Sequence, residues 1–231
     1  MGRSVVLAGA ARCPRCNQPP RWCVCEMIPP VETGLRVHVL IHRAERHKPS
    51  STGTLVARAV SAARCHTYQR ASRFFPASGF TTDAIGPGDE LWILHPGGDP
   101  PPPASPGAAH RPHVLLLDGT WRQAGEMLRA VEGMGRRVCL PEPAAEPSRY
   151  WLRDQPAATH LSTAEALIGV LETTDEITAA RRLRLHFELH VYATLRARGR
   201  REMAERYLGH SPLLAEAPEA LDRLHAEKKP A

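Results

Sequence analysis

Four consecutive apolar residues, Val114-Leu115-Leu116-Leu117, run directly into Asp118-Gly119-Thr120, and no other segment restricts the fold as tightly. Such a run fits a strand buried on both faces, as in a parallel sheet. Thr120 and Gln123 have the spacing of a helix capping box, so the strand turns into a helix at Gly119. In open α/β sheets ligands bind in the crevice beyond the carboxyl ends of the strands, which makes Asp118 a candidate site residue. The same residues also have a structural reading, in which Asp118 helps to cap the helix and Trp121 fills core.

The rest of the chain alternates in the same way. Leu35 to Ile41 reads as a strand, Thr54 to Ala63 as a helix, Glu90 to Leu94 and Arg137 to Leu140 as strands, and Leu161 to Leu171 as a helix, an α/β pattern. Pro96 to Pro112 is dominated by proline and glycine and is expected to form a loop without regular structure beside the catalytic end; Pro141 to Pro147 is a second loop. From Ile177 to about Tyr207 the composition is helical, with Ile177, Ala180, Leu183, Phe187, Val191 and Leu195 as a core-facing stripe. Its other surfaces carry Arg181, Arg182, Arg184, Arg196, Arg198, Arg200 and Arg201, which suit either phosphate contacts or a plain solvated face.

Four of the six cysteines lie in Cys13-Pro-Arg-Cys16 and Cys23-Val-Cys25. That density predicts one tetrahedral zinc site of structural type, because four thiolates leave no open coordination position. Two disulfides are the alternative, disfavoured in a reducing compartment. Cys65 and Cys139 read as ordinary buried residues. With 231 residues, 42% of them hydrophobic, the chain can bury one sizeable core plus a small appendage. The expected organisation is a cysteine knuckle at 1–30, a catalytic domain at 31–210 that includes the basic helices, and a weakly ordered tail at 211–231. No apolar stretch approaches the ~20 residues of a membrane span and no convincing signal peptide is present, so a cytoplasmic protein is expected. The formal charge of +6 suits an anionic partner such as nucleic acid.

An apolar strand ending in Asp-Gly-Thr also occurs in haloacid-dehalogenase-type phosphatases, whose nucleophilic Asp lies two residues earlier. Leu116 stands there, so no aspartyl-phosphate can form. Asp118, Thr120 and Trp121 instead match the Asp-x-Thr-Trp signature of the DTW-domain family. Ser148-Arg-Tyr-Trp-Leu-Arg153, Leu161-Ser-Thr-Ala-Glu-Ala166, His42-Arg-Ala-Glu45, Lys48 and Ser51-Thr-Gly-Thr54 resemble its remaining blocks in the same order, over roughly residues 13 to 175. Ser51 departs from the Asn expected before Thr-Gly. Ser162 and Glu165 have capping-box spacing, and Thr52-Gly53-Thr54 can be simply a turn into a helix, so each block keeps a structural reading beside the functional one.

The resemblance implies a SPOUT-like α/β sheet with a deep trefoil knot that forms a site for S-adenosylmethionine. It implies a tRNA-uridine aminocarboxypropyltransferase, moving the 3-amino-3-carboxypropyl group of that donor to uridine N3, at position 47 of the variable loop, with release of 5′-methylthioadenosine. Asp118, Thr120 and Trp121 are then the catalytic residues, with Asp118 either deprotonating the imide or stabilising the sulfonium. His42, Glu45, Thr52, Gly53, Asp118, Gly119, Ser148, Tyr150, Arg153, Leu161, Ser162, Thr163 and Glu165 form the donor site, with Arg153 the candidate partner of the donor carboxylate. Cys13, Cys16, Cys23 and Cys25 hold zinc in a knuckle suited to gripping tRNA. A SPOUT-like RNA methyltransferase, an aminocarboxypropyltransferase of ribosomal RNA and a noncatalytic zinc-containing RNA-binding module are the competing functions.

Overall fold

The computed structural model describes residues 11–71, 77–102, 112–141, 147–153 and 160–226. After a short 3-10 turn at Pro20–Trp22 the chain forms β1 (Arg36–His42), α1 (Thr52–Ala59), β2 (Arg64–Tyr68), β3 (Leu91–Asp99), β4 (His113–Asp118) and α2 (Trp121–Ala130). It continues through β5 (Arg136–Val138), α3 (Thr163–Thr173), α4 (Ile177–Ala197), α5 (Arg201–Gly209), α6 (Leu213–Glu216) and α7 (Pro218–His225).

The strands form one five-stranded sheet in the order β2-β1-β4-β3-β5, with every pairing parallel. The apolar runs account for its centre: Val37, Val39, Leu40 and Ile41 of β1 and Val114, Leu115 and Leu116 of β4 are each at most 1% exposed. Strand residues alternate between faces. Val37, Val39, Ile41, Val114 and Leu116 pack with Leu55 and Val56 of α1, Leu167 and Leu171 of α3, and Leu183 and Phe187 of α4. Leu40, Ile93 and Leu115 meet Met127 and Val131, with Phe80, on the α2 side. Asp118, in phase with Val114 and Leu116, therefore ends β4 on the α1–α3 face.

Several expectations are corrected. Residues 96–99 are not a structureless loop: β3 continues through Pro96-Gly97-Gly98 to Asp99, with a register shift between Leu94 and Asp99 that absorbs the extra residues. Gly98 passes so close to β5 that an added Cβ would lie 2.6 Å from the Val138 nitrogen. The rest of that loop, residues 103–111, and residues 142–146 of the second loop lie outside the described residues. The edge strand β2 was not foreseen, because Arg-Cys-His-Thr-Tyr has no apolar run and only Tyr68 is buried. Cys65 on it is exposed and Cys139 is partly exposed, so neither is the buried residue expected.

The expected 177–207 helical segment is two helices separated at Arg198–Arg200, where Gly199 adopts φ 73°. Its stripe is buried except for Ile177, which is 48% exposed. More consequentially, every residue from His186 to Leu195 is buried, so α4 is a central helix and not a one-sided surface one. The expected weakly ordered tail instead forms α6 and α7, which bury Leu213, Ala220, Leu221 and Leu224. Pro218 in the first turn and the Ala220, Leu221, Leu224 spacing suffice to explain α7; residues 227–231 lie outside the described residues.

Candidate active site and metal centre

Three helix N-termini converge at the carboxyl ends of β1 and β4. Ser51 caps α1 by accepting from the Thr54 N–H (3.0 Å). Thr120 caps α2 through the expected box, with Gln123 N–H donating to its Oγ1 (3.3 Å) and Thr120 N–H donating to Gln123 Oε1 (2.7 Å). Ser162 caps α3 through a second box with Glu165. Free N–H groups and helix dipoles make this end of the sheet electropositive and suited to an anion.

Asp118, 6% exposed, is built into this junction. Its Oδ2 accepts from Ser51 Oγ (2.8 Å), and its Oδ1 accepts from Gly53 N–H (3.0 Å) and Thr163 Oγ1 (2.6 Å). One carboxylate thus ties the first turns of α1 and α3 to the end of β4. Gly53 is required for this approach, since an added Cβ would lie 2.4 Å from Asp118 Cγ. The serine at 51, where an Asn was expected, makes the carboxylate contact with its hydroxyl.

A second cluster flanks the first. Glu45, only 1% exposed, accepts from Lys48 Nζ (2.6 Å) and Arg153 Nη2 (2.7 Å). Burial alone would raise its carboxyl, yet the hydrogen bonds from Lys48 and Arg153 hold it below the usual carboxylate range. Arg153 also donates to Ser50 Oγ (3.4 Å), and Tyr150 donates its hydroxyl to the Ser50 carbonyl (2.5 Å). Burial pushes the Tyr150 phenol up to about 12, against the pull of Arg153. The Nη2 nitrogen expected to grip a donor carboxylate is therefore engaged with Glu45. Burial would weaken the Arg153 charge, and Tyr150, Glu45 and Asp118 more than offset it.

Glu165 accepts from Ser148 Oγ (2.9 Å), Arg149 N–H (2.8 Å) and Ser162 N–H (2.8 Å), so Ser148, Ser162 and Glu165 form one knot of contacts at the start of α3. Thr52 is buried in α1, His42 is partly exposed with Nδ1 accepting from Ala44 N–H (3.2 Å), and Leu161 and Gly119 lie at the turns into α3 and α2. Trp121 is 46% exposed, which removes the core-filling reading, and its ring centroid lies 4.2 Å from that of His160. His160 was not singled out from the sequence; its Nδ1 is enclosed without a hydrogen-bond partner among the described residues. Arg149 was also missed. It clamps the buried Glu188 of α4 with two hydrogen bonds (3.0 and 2.7 Å), a pairing across the fold that no local pattern signals.

The sulfurs of Cys13, Cys16, Cys23 and Cys25 lie within 4.8 Å of one another. The Cys13–Cys25 and Cys16–Cys23 separations are both 3.8 Å, the spacing that a tetrahedral ion with bonds of about 2.3 Å imposes, and far too long for disulfides. The four thiols can hold a metal ion. Hydrogen bonding from Cys25 brings Cys16 down to about 5 and holds Cys25 itself up. The intervening loop docks on the site: Asn17, at φ 59°, donates to the His47 carbonyl (2.6 Å), and Gln18 donates to Thr194 Oγ1 (2.6 Å) and the Pro49 carbonyl (3.4 Å).

The α4–α5 arginines are mostly committed within the molecule. Arg181 pairs with Glu216, Arg184 with Glu172 and Arg196 with Glu205, while Arg182 and Arg198 donate to the Pro30 and Leu152 carbonyls.

The fold and site define a parallel α/β protein in which a strand-end carboxylate locks converging helix N-termini, braced by a four-cysteine knuckle. The profile of the DTW domain matches residues 10–195, and the chain belongs to that family. Among similar proteins, "tRNA-uridine aminocarboxypropyltransferase 2" of Drosophila melanogaster is 26% identical over 174 residues, 72% of this chain and 68% of its own length. The proteins of the same name from Mus musculus (26% identical) and Macaca fascicularis (24% identical) match 71% of this chain and 56% and 58% of their own lengths, so the chain spans little more than half of each. No solved structure matches the chain.

Proposed function

We propose that this protein is a tRNA-uridine aminocarboxypropyltransferase of the cytoplasm, using S-adenosylmethionine to modify uridine N3, at position 47 of the tRNA variable loop. The observation that carries the reading is that the family match runs continuously through the Asp118 junction, in a chain whose similar proteins bear that name. A SPOUT-like arrangement with a trefoil knot belongs to the same reading.

In this reaction uridine N3 loses its proton to solvent and attacks the γ-methylene of the donor. The N–C bond forms as the C–S bond breaks, and the electron pair stays on sulfur in neutral 5′-methylthioadenosine. The enzyme's task is to present the γ-carbon and not the methyl, which is a matter of positioning. Exposed Trp121 beside His160 suits stacking on a base. A general base needs a lone pair aimed at the substrate, whereas the Asp118 carboxylate is 6% exposed and already accepts two hydrogen bonds at Oδ1 and one at Oδ2, which favours a fixed charge. We therefore assign Asp118 the electrostatic role, opposite the sulfonium, and not the proton transfer. Arg153, held by Glu45, contributes its remaining nitrogens to the donor carboxylate. Zinc, held by Cys13, Cys16, Cys23 and Cys25, supplies rigidity to the knuckle and no chemistry.

Purified protein incubated with S-adenosylmethionine and unmodified tRNA tests this by mass spectrometry of nucleosides and by-product. Aminocarboxypropyl-uridine with 5′-methylthioadenosine is expected. Methylated RNA with S-adenosylhomocysteine overturns the chemistry in favour of a methyltransferase. Product with ribosomal RNA alone overturns the substrate, and no product with either RNA leaves a binding module.

A further inference from the structure

A cleft of about 330 Å³ opens at the amino ends of the strands, remote from Asp118, and is lined by Arg36, His38, Ser61, Arg64 and His113. The β4 register places it roughly 16 Å from Asp118, five residues at about 3.3 Å each. Strand pairing explains the convergence. Arg36 is in register with His113 and His38 with Arg64. Partners in register share a face, as do residues two apart on one strand, so Arg36, His38, Arg64, His66 and His113 all project on the α2 side of the sheet.

The floor is a chain of hydrogen-bonded imidazoles. His66 Nε2 meets His38 Nδ1 (3.2 Å), His38 Nε2 meets His113 Nδ1 (2.9 Å), and His113 Nε2 meets Asp89 Oδ2 (3.3 Å). A carboxylate accepts only, so His113 donates to Asp89, His38 donates to His113 and His66 donates to His38. With neutral rings, one carboxylate thereby sets every tautomer along the chain. Burial, with the neighbouring histidines and arginines adding to it, brings His38 down to about 4.

The charge of the cleft comes from Arg36 and Arg64. Both are exposed, and neither guanidinium has a hydrogen bond or ion pair among the described residues, in contrast to the paired arginines of α4. Glu32 accepts from Ser61 Oγ (2.5 Å) and Asp89 from His113 (3.3 Å), and neither pairs with Arg36 or Arg64 among the described residues. Two guanidiniums on adjacent strands, without a partner among the described residues and set over a polar imidazole floor, form a fork for a tetrahedral oxyanion.

We infer that this cleft binds a phosphate group, held by Arg36 and Arg64. The group comes from the RNA backbone, a source that rests on the tRNA reading, or from a free phosphate-bearing small molecule. The test compares the full chain with its R36Q/R64Q double variant, whose unfolding temperature without ligand stays that of the parent because both side chains are exposed. Inorganic phosphate is expected to raise the unfolding temperature of the parent and not of the variant. If RNA is the source, the variant also binds tRNA with a shallower salt dependence, its log–log slope reduced by about 0.7–0.9 for the one lost phosphate contact. An unchanged slope with the phosphate response lost assigns the cleft to a small molecule. Equal phosphate response and equal slope in both proteins overturn the site. Phosphate stabilisation needs no tRNA chemistry, so it stands even if no modified uridine is formed.

Discussion

At the residue scale, the sequence pointed to Asp118 by its place at a strand end, and the folded chain shows how it is used. Three donors from two helices converge on it, so its charge is a structural tie before it is anything else. Asp118→Asn keeps the size but turns an amide N–H₂ toward converging donors. The expected cost is about 1–3 kcal/mol of stability, read from denaturant unfolding, and on the order of 10²-fold in turnover, beyond what the stability loss explains. A variant of parental turnover refutes an electrostatic role. The histidine chain carries a pH prediction. The folded value of His38 lies below its ordinary 6.5, so the unfolded chain takes up the proton first as pH falls. Its contribution is complete above about pH 6.5 and is lost as pH falls toward about 4. Unfolding temperatures across this range should decline, and His38→Gln should decline less. Arginines make the opposite lesson: their number on α4 and α5 was visible, but partners such as Glu172, Glu205 and Glu216 come from elsewhere in the fold.

At the scale of elements, caps were legible where the pattern is local. Both Thr120–Gln123 and Ser162–Glu165 form the boxes their spacing predicts. Strand β2 was illegible because an edge strand with one buried residue needs no apolar signature. The knuckle shows the limit of reading an element by itself. The cysteine spacing predicted a zinc knuckle, and the folded chain adds that Asn17 and Gln18 of the knuckle hold the His47 and Pro49 carbonyls of the loop that carries Glu45, Lys48 and Ser50. Removing metal with a chelator is therefore expected to lower the unfolding temperature and to speed amide exchange at residues 45–51. Faster exchange confined to residues 13–25 contradicts that coupling.

At the scale of the whole molecule, α4 organises the core: it packs on α1, α3 and α5 and seats Glu188 against Arg149 from the Ser148–Arg153 segment before α3. The C-terminal helices complete it. Arg21 of the knuckle donates to the Leu224 carbonyl, and Leu213, Leu221 and Leu224 are at most 5% exposed. Ending the chain at residue 210 removes the three buried leucines Leu213, Leu221 and Leu224, whose burial is worth about 1.5–3 kcal/mol each. The truncated protein is expected to unfold at a clearly lower temperature, and an unchanged one would falsify the packing role of α7. The sequence alone determined the central strands, the capped helices, the strand-end aspartate and the cysteine cluster, because each depends on residues a few positions apart. Only the tertiary structure decided that Arg153 faces Glu45, that the α4 arginines are paired, that the tail is helical and packed, and that Arg36 and Arg64 stand over a histidine chain with no partner among the described residues. Those outcomes depend on partners 9 to 203 residues away, such as Arg196 with Glu205 and Arg21 with Leu224, which chain folding brings together and local pattern cannot encode.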